Sequence, residues 1–211
     1  MNLKDIRKDY RHEAIHDSDF PVDPFTWFSK WLEDALKSQE PEPTALVLST
    51  VSPEGRPSSR VVLLKSFDEN GFVFFTNYKS RKGRQLETNS FASIVFFWPH
   101  TERQVRIEGI AEKVEDSESD VYFDSRPEES KMNAIISPQS QVIESRAFLE
   151  SEREKLFAEN DKGLFKRPQH WGGYRVKPDR MEFWQGRPGR LHDRIQYFME
   201  GNIWTISRLA P

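Results

Sequence analysis

The sequence has 211 residues, a formal net charge of −3 and no cysteine. That length allows one large domain, and the charge argues against a nucleic-acid or acidic-membrane role for the protein as a whole. The missing thiols exclude disulfides, thiolate catalysis and cysteine-ligated metal. Hydrophobic residues make up only 36%, but 16 Phe and 6 Trp bury large areas each; a lean apolar content fits an oligomer that shares its core. The charged start has no apolar segment of secretory type. The longest apolar run, 91–98, falls far short of the roughly 20 residues of a membrane-spanning helix. A soluble, cytoplasmic protein is expected.

Residues 1–20 are charged and lack an apolar stripe, and read as a mobile arm. Asp23-Pro24 opens a helix with proline at its first position, and Phe25, Phe28, Trp31, Leu32 and Leu36 form its expected apolar face. Strands are expected over 45–51, 59–65 and 72–77, separated by the turn signals Ser52-Pro53-Glu54-Gly55 and Asp68-Glu69-Asn70-Gly71. A short helix covers 81–88, and two more strands follow at 91–98 and 104–114. This spacing suggests a small antiparallel barrel. Residues 117–159 read as helical, broken at Pro127 and Pro138, and 161–168 as a loop. The tail returns to strands at 173–176, 181–185, 191–198 and 203–208. The fold class is therefore α+β, one domain over 21–211 with a helical insertion.

Four segments carry chemistry. In Lys79-Ser80-Arg81-Lys82-Gly83-Arg84, Ser80 is a plausible N-cap, and cations crowd a helix end that is already positive. An anion such as phosphate relieves that crowding; a solvated basic face is the alternative. In Arg60-Val61-Val62-Leu63-Leu64-Lys65, strict alternation puts Arg60 and Lys65 on opposite faces, so pattern alone does not make them converge. In Arg190-Leu191-His192-Asp193-Arg194, a strand would align Arg190, His192 and Arg194 on one face, and histidine adds proton handling near neutral pH. Tyr122 and Arg126, four apart, share a helical face, and with Ser130 they offer donors suited to phosphate. No P-loop, dinucleotide fingerprint or nucleophile elbow occurs, and the five histidines show no metal-ligand spacing.

Taken together with Phe75-Thr76-Asn77, Glu102-Arg103-Gln104-Val105, Ser125-Arg126-Pro127, Gln139-Ser140, Trp171-Gly172-Gly173, Glu182-Phe183-Trp184-Gln185-Gly186 and the terminal Arg208-Leu209-Ala210-Pro211, these blocks follow the order and spacing of the pyridoxamine 5'-phosphate oxidase family, which the chain resembles over nearly its whole length. The resemblance implies an FMN-binding split β-barrel with flanking helices, homodimeric, with strands from 171–211 contributing to the dimer and the active site. It implies cofactor contacts from Arg60, Val61, Leu63, Lys65, Phe75, Thr76, Ser80, Arg81, Lys82 and Gln104, with Gln139, Ser140, Trp184 and Arg194 reaching the same flavin from the other subunit. Substrate contacts would come from Lys65, Tyr122, Arg126 and Ser130 at the phosphate and from Arg190 and His192, the catalytic pair, at the ring. Arg7 and Tyr10 in the arm would close over it as a lid. The implied activity is oxidation of pyridoxamine or pyridoxine 5'-phosphate by O2, with no metal and no nucleic-acid or membrane partner. Phe75 departs from the family by standing where many relatives have tyrosine. A different split-barrel flavin or deazaflavin oxidoreductase and a non-catalytic carrier are the rival readings.

Overall fold

A computed structural model describes residues 2, 4, 9–10, 14–16, 19–159 and 165–211. The first helix, α1, runs Pro24–Lys37, and its start is fixed by the Asp23 carboxylate, which accepts from the N–H groups of Phe25 and Thr26. Its buried stripe is Phe25, Trp27, Phe28, Trp31 and Ala35. Leu36, expected on that stripe, is 55% exposed, because it follows Ala35 by about 100° around the helix.

Nine strands form one antiparallel sheet. They are β1 (Ala45–Val51), β2 (Pro57–Leu63), β3 (Ser66–Asp68), β4 (Gly71–Asn77), β5 (Phe91–Trp98), β6 (Arg103–Lys113), β7 (Trp171–Gln185), β8 (Asp193–Glu200) and β9 (Ile203–Leu209). The order is β2-β1-β5-β6-β7-β4-β3, with β8 added to β7 and β9 to β8. Strand β7 is the branch point: its first half pairs with β4 and its second half with β8, while β6 runs along both. The sequence suggested two strands here, 173–176 and 181–185, separated by a gap that contains Pro178. Instead one strand passes through a bulge opposite Glu108 and Gly109, an irregularity that accommodates a proline inside a sheet. A Cβ on Gly109 would lie 2.0 Å from the Lys177 carbonyl oxygen, so glycine is what lets the two backbones approach.

Helix α2 (Arg81–Thr88) follows β4, and α3 (Asp116–Asp124), α4 (Glu128–Ile136) and α5 (Arg146–Glu159) fill the stretch between β6 and β7. The main core packs Phe28, Phe72, Phe74, Phe96, Trp98, Phe183 and Tyr197 between α1 and the sheet. A second, smaller core gathers Phe123, Met132, Phe165 and Trp171 under α3 and α4, with Phe75 and Tyr122 packed against it.

The other sheet face is different. Val61, Phe91 and Phe97 are 64%, 61% and 56% exposed. Register places Phe97, Gln104, Trp184 and Arg194 side by side across β5, β6, β7 and β8. Among the described residues no helix is long and apolar enough to cross a membrane.

Candidate active site

The first group of side chains surrounds the start of α2. Ser80 caps the helix by accepting from the Gly83 N–H at 3.2 Å. Lys82, in the first turn, is buried, and its Nζ donates to Thr76 Oγ1 at 3.0 Å and to Gln139 Oε1 at 2.9 Å. Arg60 reaches the same region from β2, donating to the Leu48 carbonyl, Thr50 Oγ1 and Ser58 Oγ. Burial, then the nearby Arg81, lowers the Arg60 pKa; burial, then Arg60, pushes Lys82 down to about 8. Among the described residues no carboxylate lies within ion-pair distance of Arg60, Arg81 or Lys82. Three cations held together at a positive helix end make a site for an anion. The resemblance assigns Gln139 to a flavin contact from the other subunit; within its own chain its Oε1 accepts from Lys82. Its neighbour Ser140 is exposed and has φ of 70°, a conformation that costs a non-glycine residue roughly 1–3 kcal/mol and gathers at functional sites.

Val61 and Leu63 point away from Arg60, onto the exposed sheet face. Lys65 is not bound by the alternation of β2, because that strand ends at Leu63. The chain changes partners there: Leu64 donates to Thr44, and Lys65 donates its N–H to Val73 on β4.

Lys65 thereby enters the second group. Its Nζ lies 6.0 Å from the Tyr122 ring centroid, and it lines a cavity of about 450 Å3 with Ser66, Phe75, Tyr122 and Ser125. The rings of Phe75 and Tyr122 stack at 4.0 Å, and Phe75 stacks on Trp171 at 5.4 Å. Phe75 offers a ring face and no hydroxyl here. The Arg126 guanidinium lies 4.7 Å over the Trp171 ring. Its Nη1 is buried with no hydrogen-bond partner among the described residues, and burial lowers its pKa. An orphaned buried donor costs roughly 1–3 kcal/mol, which an anionic ligand would offset. Ser130 is half-buried in the first turn of α4.

The third group lies at the far end of β7. Trp184 and His192 have ring centroids 4.7 Å apart, and Tyr10 packs edge-on against both. A Cβ on Gly186 would lie 2.7 Å from the Tyr10 ring, so this glycine leaves the space the tyrosine fills. The segment before β8 is not strand: Pro188–Arg190 forms a 3-10 turn, Gly189 and Arg190 have φ of 66° and 63°, and β8 begins only at Asp193. Arg190, His192 and Arg194 therefore do not share a strand face as the sequence suggested; the Pro-Gly pair bends the chain first. His192 Nδ1 accepts from the Arg187 N–H at 3.1 Å, which leaves the neutral ring's proton on Nε2. Burial, then Arg190, lowers its pKa. Arg194 is held bidentate by Glu182, at 3.0 Å from both oxygens, and that carboxylate also accepts from Arg106. Ile15 of the arm is pinned by Asp193 and Arg208. Arg7 lies outside the described residues.

Sequence reading missed Arg167 and the roles of Glu182 and Trp171. Arg167 sits in no charge pattern, and Glu182 and Trp171 were visible only as members of the Glu182–Gly186 and Trp-Gly-Gly blocks.

The sheet that branches at β7, with these groups at its two ends, defines an α+β split β-barrel. Residues 32–159 match the family model described as pyridoxamine 5'-phosphate oxidase, and 171–211 match a pyridoxine 5'-phosphate oxidase C-terminal dimerisation region. The chain belongs to the pyridoxamine 5'-phosphate oxidase family. It is 51% identical over 210 residues to a pyridoxine/pyridoxamine 5'-phosphate oxidase of Nostoc punctiforme, covering 99% of this chain and 98% of that one. It is 52% identical over 212 residues to one of Burkholderia multivorans, covering 99% of each. Among solved structures it resembles PhzG of Burkholderia lata, in complex with tetrahydrophenazine-1-carboxylic acid, at TM-score 0.88 and 35% identity over 94% of this chain and 98% of that one. A pyridoxamine 5'-phosphate oxidase-related, FMN-binding protein of Nostoc punctiforme shares the fold at TM-score 0.72 and 18% identity, over 91% of this chain and all of that one. Family membership makes the chain an oxidoreductase.

Proposed function

We propose that the protein is a homodimeric FMN enzyme that oxidises pyridoxamine 5'-phosphate and pyridoxine 5'-phosphate to pyridoxal 5'-phosphate. O2 would be reduced to hydrogen peroxide, with water consumed and ammonia released when the substrate is the amine. The observation that carries this reading is the presence of two separate cation-rich cradles, Arg60/Arg81/Lys82 and Lys65/Arg126, joined through the neighbours Phe75 and Thr76. One suits a cofactor phosphate and the other a substrate phosphate.

The donor set fits FMN, because Arg60, Arg81, Lys82 and Thr76 present hydrogen-bond donors, with no carboxylate paired to these cations among the described residues. When bound, FMN supplies hydride acceptance from the substrate's 4' carbon and electron transfer to O2. The chain's own residues orient and hold. Lys65, Tyr122, Arg126 and Ser130 anchor the substrate phosphate. Arg190 orients the pyridine ring, and His192, neutral with its proton on Nε2, donates towards the ring's polar substituents. Tyr10, with Arg7, closes over the ring and excludes water.

A second copy of the chain completes the site. Trp171 and Trp184 lie near opposite ends of a 15-residue strand, on the order of 40 Å apart along its contour. One small substrate cannot touch both ends of the same β7. Pairing of two chains through the exposed face around Val61, Phe91 and Phe97 buries that face and brings the Trp184/Arg194 end of one to the Lys82 end of the other.

The test is the visible spectrum of the purified protein under nitrogen. A flavin spectrum that bleaches on adding pyridoxine 5'-phosphate and returns with air, with peroxide formed, is the expected result. Unchanged absorbance with that substrate, or bleaching only by a tricyclic carboxylic acid of the kind bound by PhzG, refutes it.

A further inference from the structure

The Trp171 ring joins the aromatic side chains of the second group to Arg126. It stacks with Phe75, lies nearly parallel to Tyr122 at 6.1 Å and 9°, meets Phe123 edge-on, and carries Arg126 on its face. The glycines that follow it allow this fit. A Cβ on Gly172 would lie 2.1 Å from the Tyr78 hydroxyl, and one on Gly173 would lie 2.9 Å from the Phe75 ring.

The first residue of β7 is also tied down by a charged clamp outside the site. Arg167 donates Nη1 to the Trp171 carbonyl at 2.8 Å, Nε to Asp120 at 2.6 Å and Nη2 to Asp116 at 2.7 Å. The two aspartates are exposed, but the Arg167 side chain is only 10% exposed. They sit one turn apart on α3, the helix that carries Tyr122 and Phe123 and leads into Arg126. One planar fork therefore fixes Trp171 relative to the helix whose side chains it packs against.

We propose that Trp171, clamped by Arg167, is a positioning residue that presents Arg126 to the substrate phosphate, so that Arg167, which touches no substrate, sets affinity for the phosphate ester. The proposal rests on the reading of Arg126 as a phosphate ligand given above. The chemistry favours an indole over a carboxylate in this place. A carboxylate would occupy the guanidinium's donors and repel a phosphate dianion. A ring face stabilises the buried cation while accepting none of its in-plane N–H groups. Among the described residues Nη1 is left without a partner, which is what an incoming phosphate oxygen requires.

Arg167 is not the sole tie between helix α3 and the sheet. Helix α3 is held independently by Ser119, which accepts from the Gly173 N–H at 3.1 Å, and by Arg175, which bonds Asp68 and Glu118. The FMN-loaded Arg167→Gln protein should therefore keep its flavin and its kcat. Its KM for pyridoxine 5'-phosphate should rise about 10- to 30-fold, equal to about 1.4–2 kcal/mol, the scale of a desolvated cation–π contact. The inhibition constant of inorganic phosphate should rise in parallel. Arg167→Lys should rescue part of the loss. Trp171→Phe, which keeps an aromatic face, should fall between wild type and Trp171→Leu; if the leucine variant does not fold, the phenylalanine and Arg167 variants decide.

Arg126→Gln, measured alongside, separates two failures. If it leaves KM and phosphate inhibition unchanged, the phosphate site itself is misassigned. If it raises both while Arg167→Gln and Trp171→Phe change neither, the positioning role is wrong. Loss of flavin and kcat together with KM in Arg167→Gln would reveal a purely structural residue and also overturn it.

Discussion

The Nζ of Lys82 lies 2.9 Å from Oε1 of Gln139, a contact that joins the start of α2 to a segment 57 residues further along the chain. Among the described residues no carboxylate pairs with Lys82, and burial, then the charge of Arg60, brings its pKa down to about 8. The Gln139 and Thr76 oxygens solvate the ammonium but do not neutralise it.

The affinity of the cofactor-free protein for FMN should consequently depend on pH. A bound phosphate favours the charged ammonium, so binding above pH 8 requires proton uptake. Affinity should be flat just below pH 8 and fall by up to about tenfold per unit above it. Lys82→Met should weaken binding at neutral pH and remove this slope. The sign for stability is opposite. The folded pKa lies below the ordinary 10.5, so between these values the unfolded chain binds the proton and the folded chain does not. Cofactor-free stability contributed by this group should rise with pH across that window. Flavin titrations and thermal unfolding over pH 7–10.5 measure both, and a slope that persists in Lys82→Met refutes the assignment.

His192 gives a second pH dependence. Its pKa is held below the ordinary 6.5, first by burial and then by Arg190. The neutral ring should be the working form, and kcat/KM should fall on acidification with an apparent pKa below 6.5. Arg190→Gln should move that limb upward only in part, since burial is the larger cause. An acidic limb at or above 6.5 in the unaltered enzyme would mean that the titrating group is another residue.

The sequence conveyed the strands well wherever one face is buried. Residues 45–51 and 91–98 are largely apolar runs bounded by turn or helix signals, and the strands follow them to the residue, with burial alternating along each. It conveyed β7 poorly, because a bulge around Pro178 is indistinguishable from a turn until β6 is alongside. The N-cap at Ser80 was legible because capping is local. The Arg126–Trp171 stack was not, since 45 positions separate the two and no periodicity links them. Likewise, Lys65 looked opposed to Arg60 until the pairing partner changed at Leu64. Local rules reach the elements; the convergence of cations depends on where strands end.

Tyr10 packs on Gly186, Trp184 and His192, and Gly186 has no room for a methyl group beside that ring. The atoms that a Cβ on Gly186 would meet first are those of the Tyr10 side chain, which can turn aside where backbone cannot. Gly186→Ala should thus displace Tyr10 and resemble Tyr10→Ala, raising KM for pyridoxine 5'-phosphate while leaving flavin content unchanged. Additive losses in the double variant would show that the two act separately and that Tyr10 is not the lid Gly186 accommodates.

The most direct test of a shared site uses two inactive chains. Arg81 belongs to the cation cluster at the start of α2, and Arg194 sits across from Trp184 at the far end of β7, on the order of 40 Å away along the strand. If each active site takes Arg81 from one chain and Arg194 from the other, a mixed dimer of Arg81→Ala and Arg194→Ala chains has one site with both defects and one with neither. Random reassembly of equal amounts makes half the dimers mixed, so activity should recover to about a quarter of the unaltered enzyme. Differently tagged chains allow the mixed dimers to be purified, which should double that fraction to about one half. Full inactivity of purified mixed dimers that retain flavin would place both arginines in the same chain's site, and the end-to-end pairing of two β7 strands would have to be abandoned.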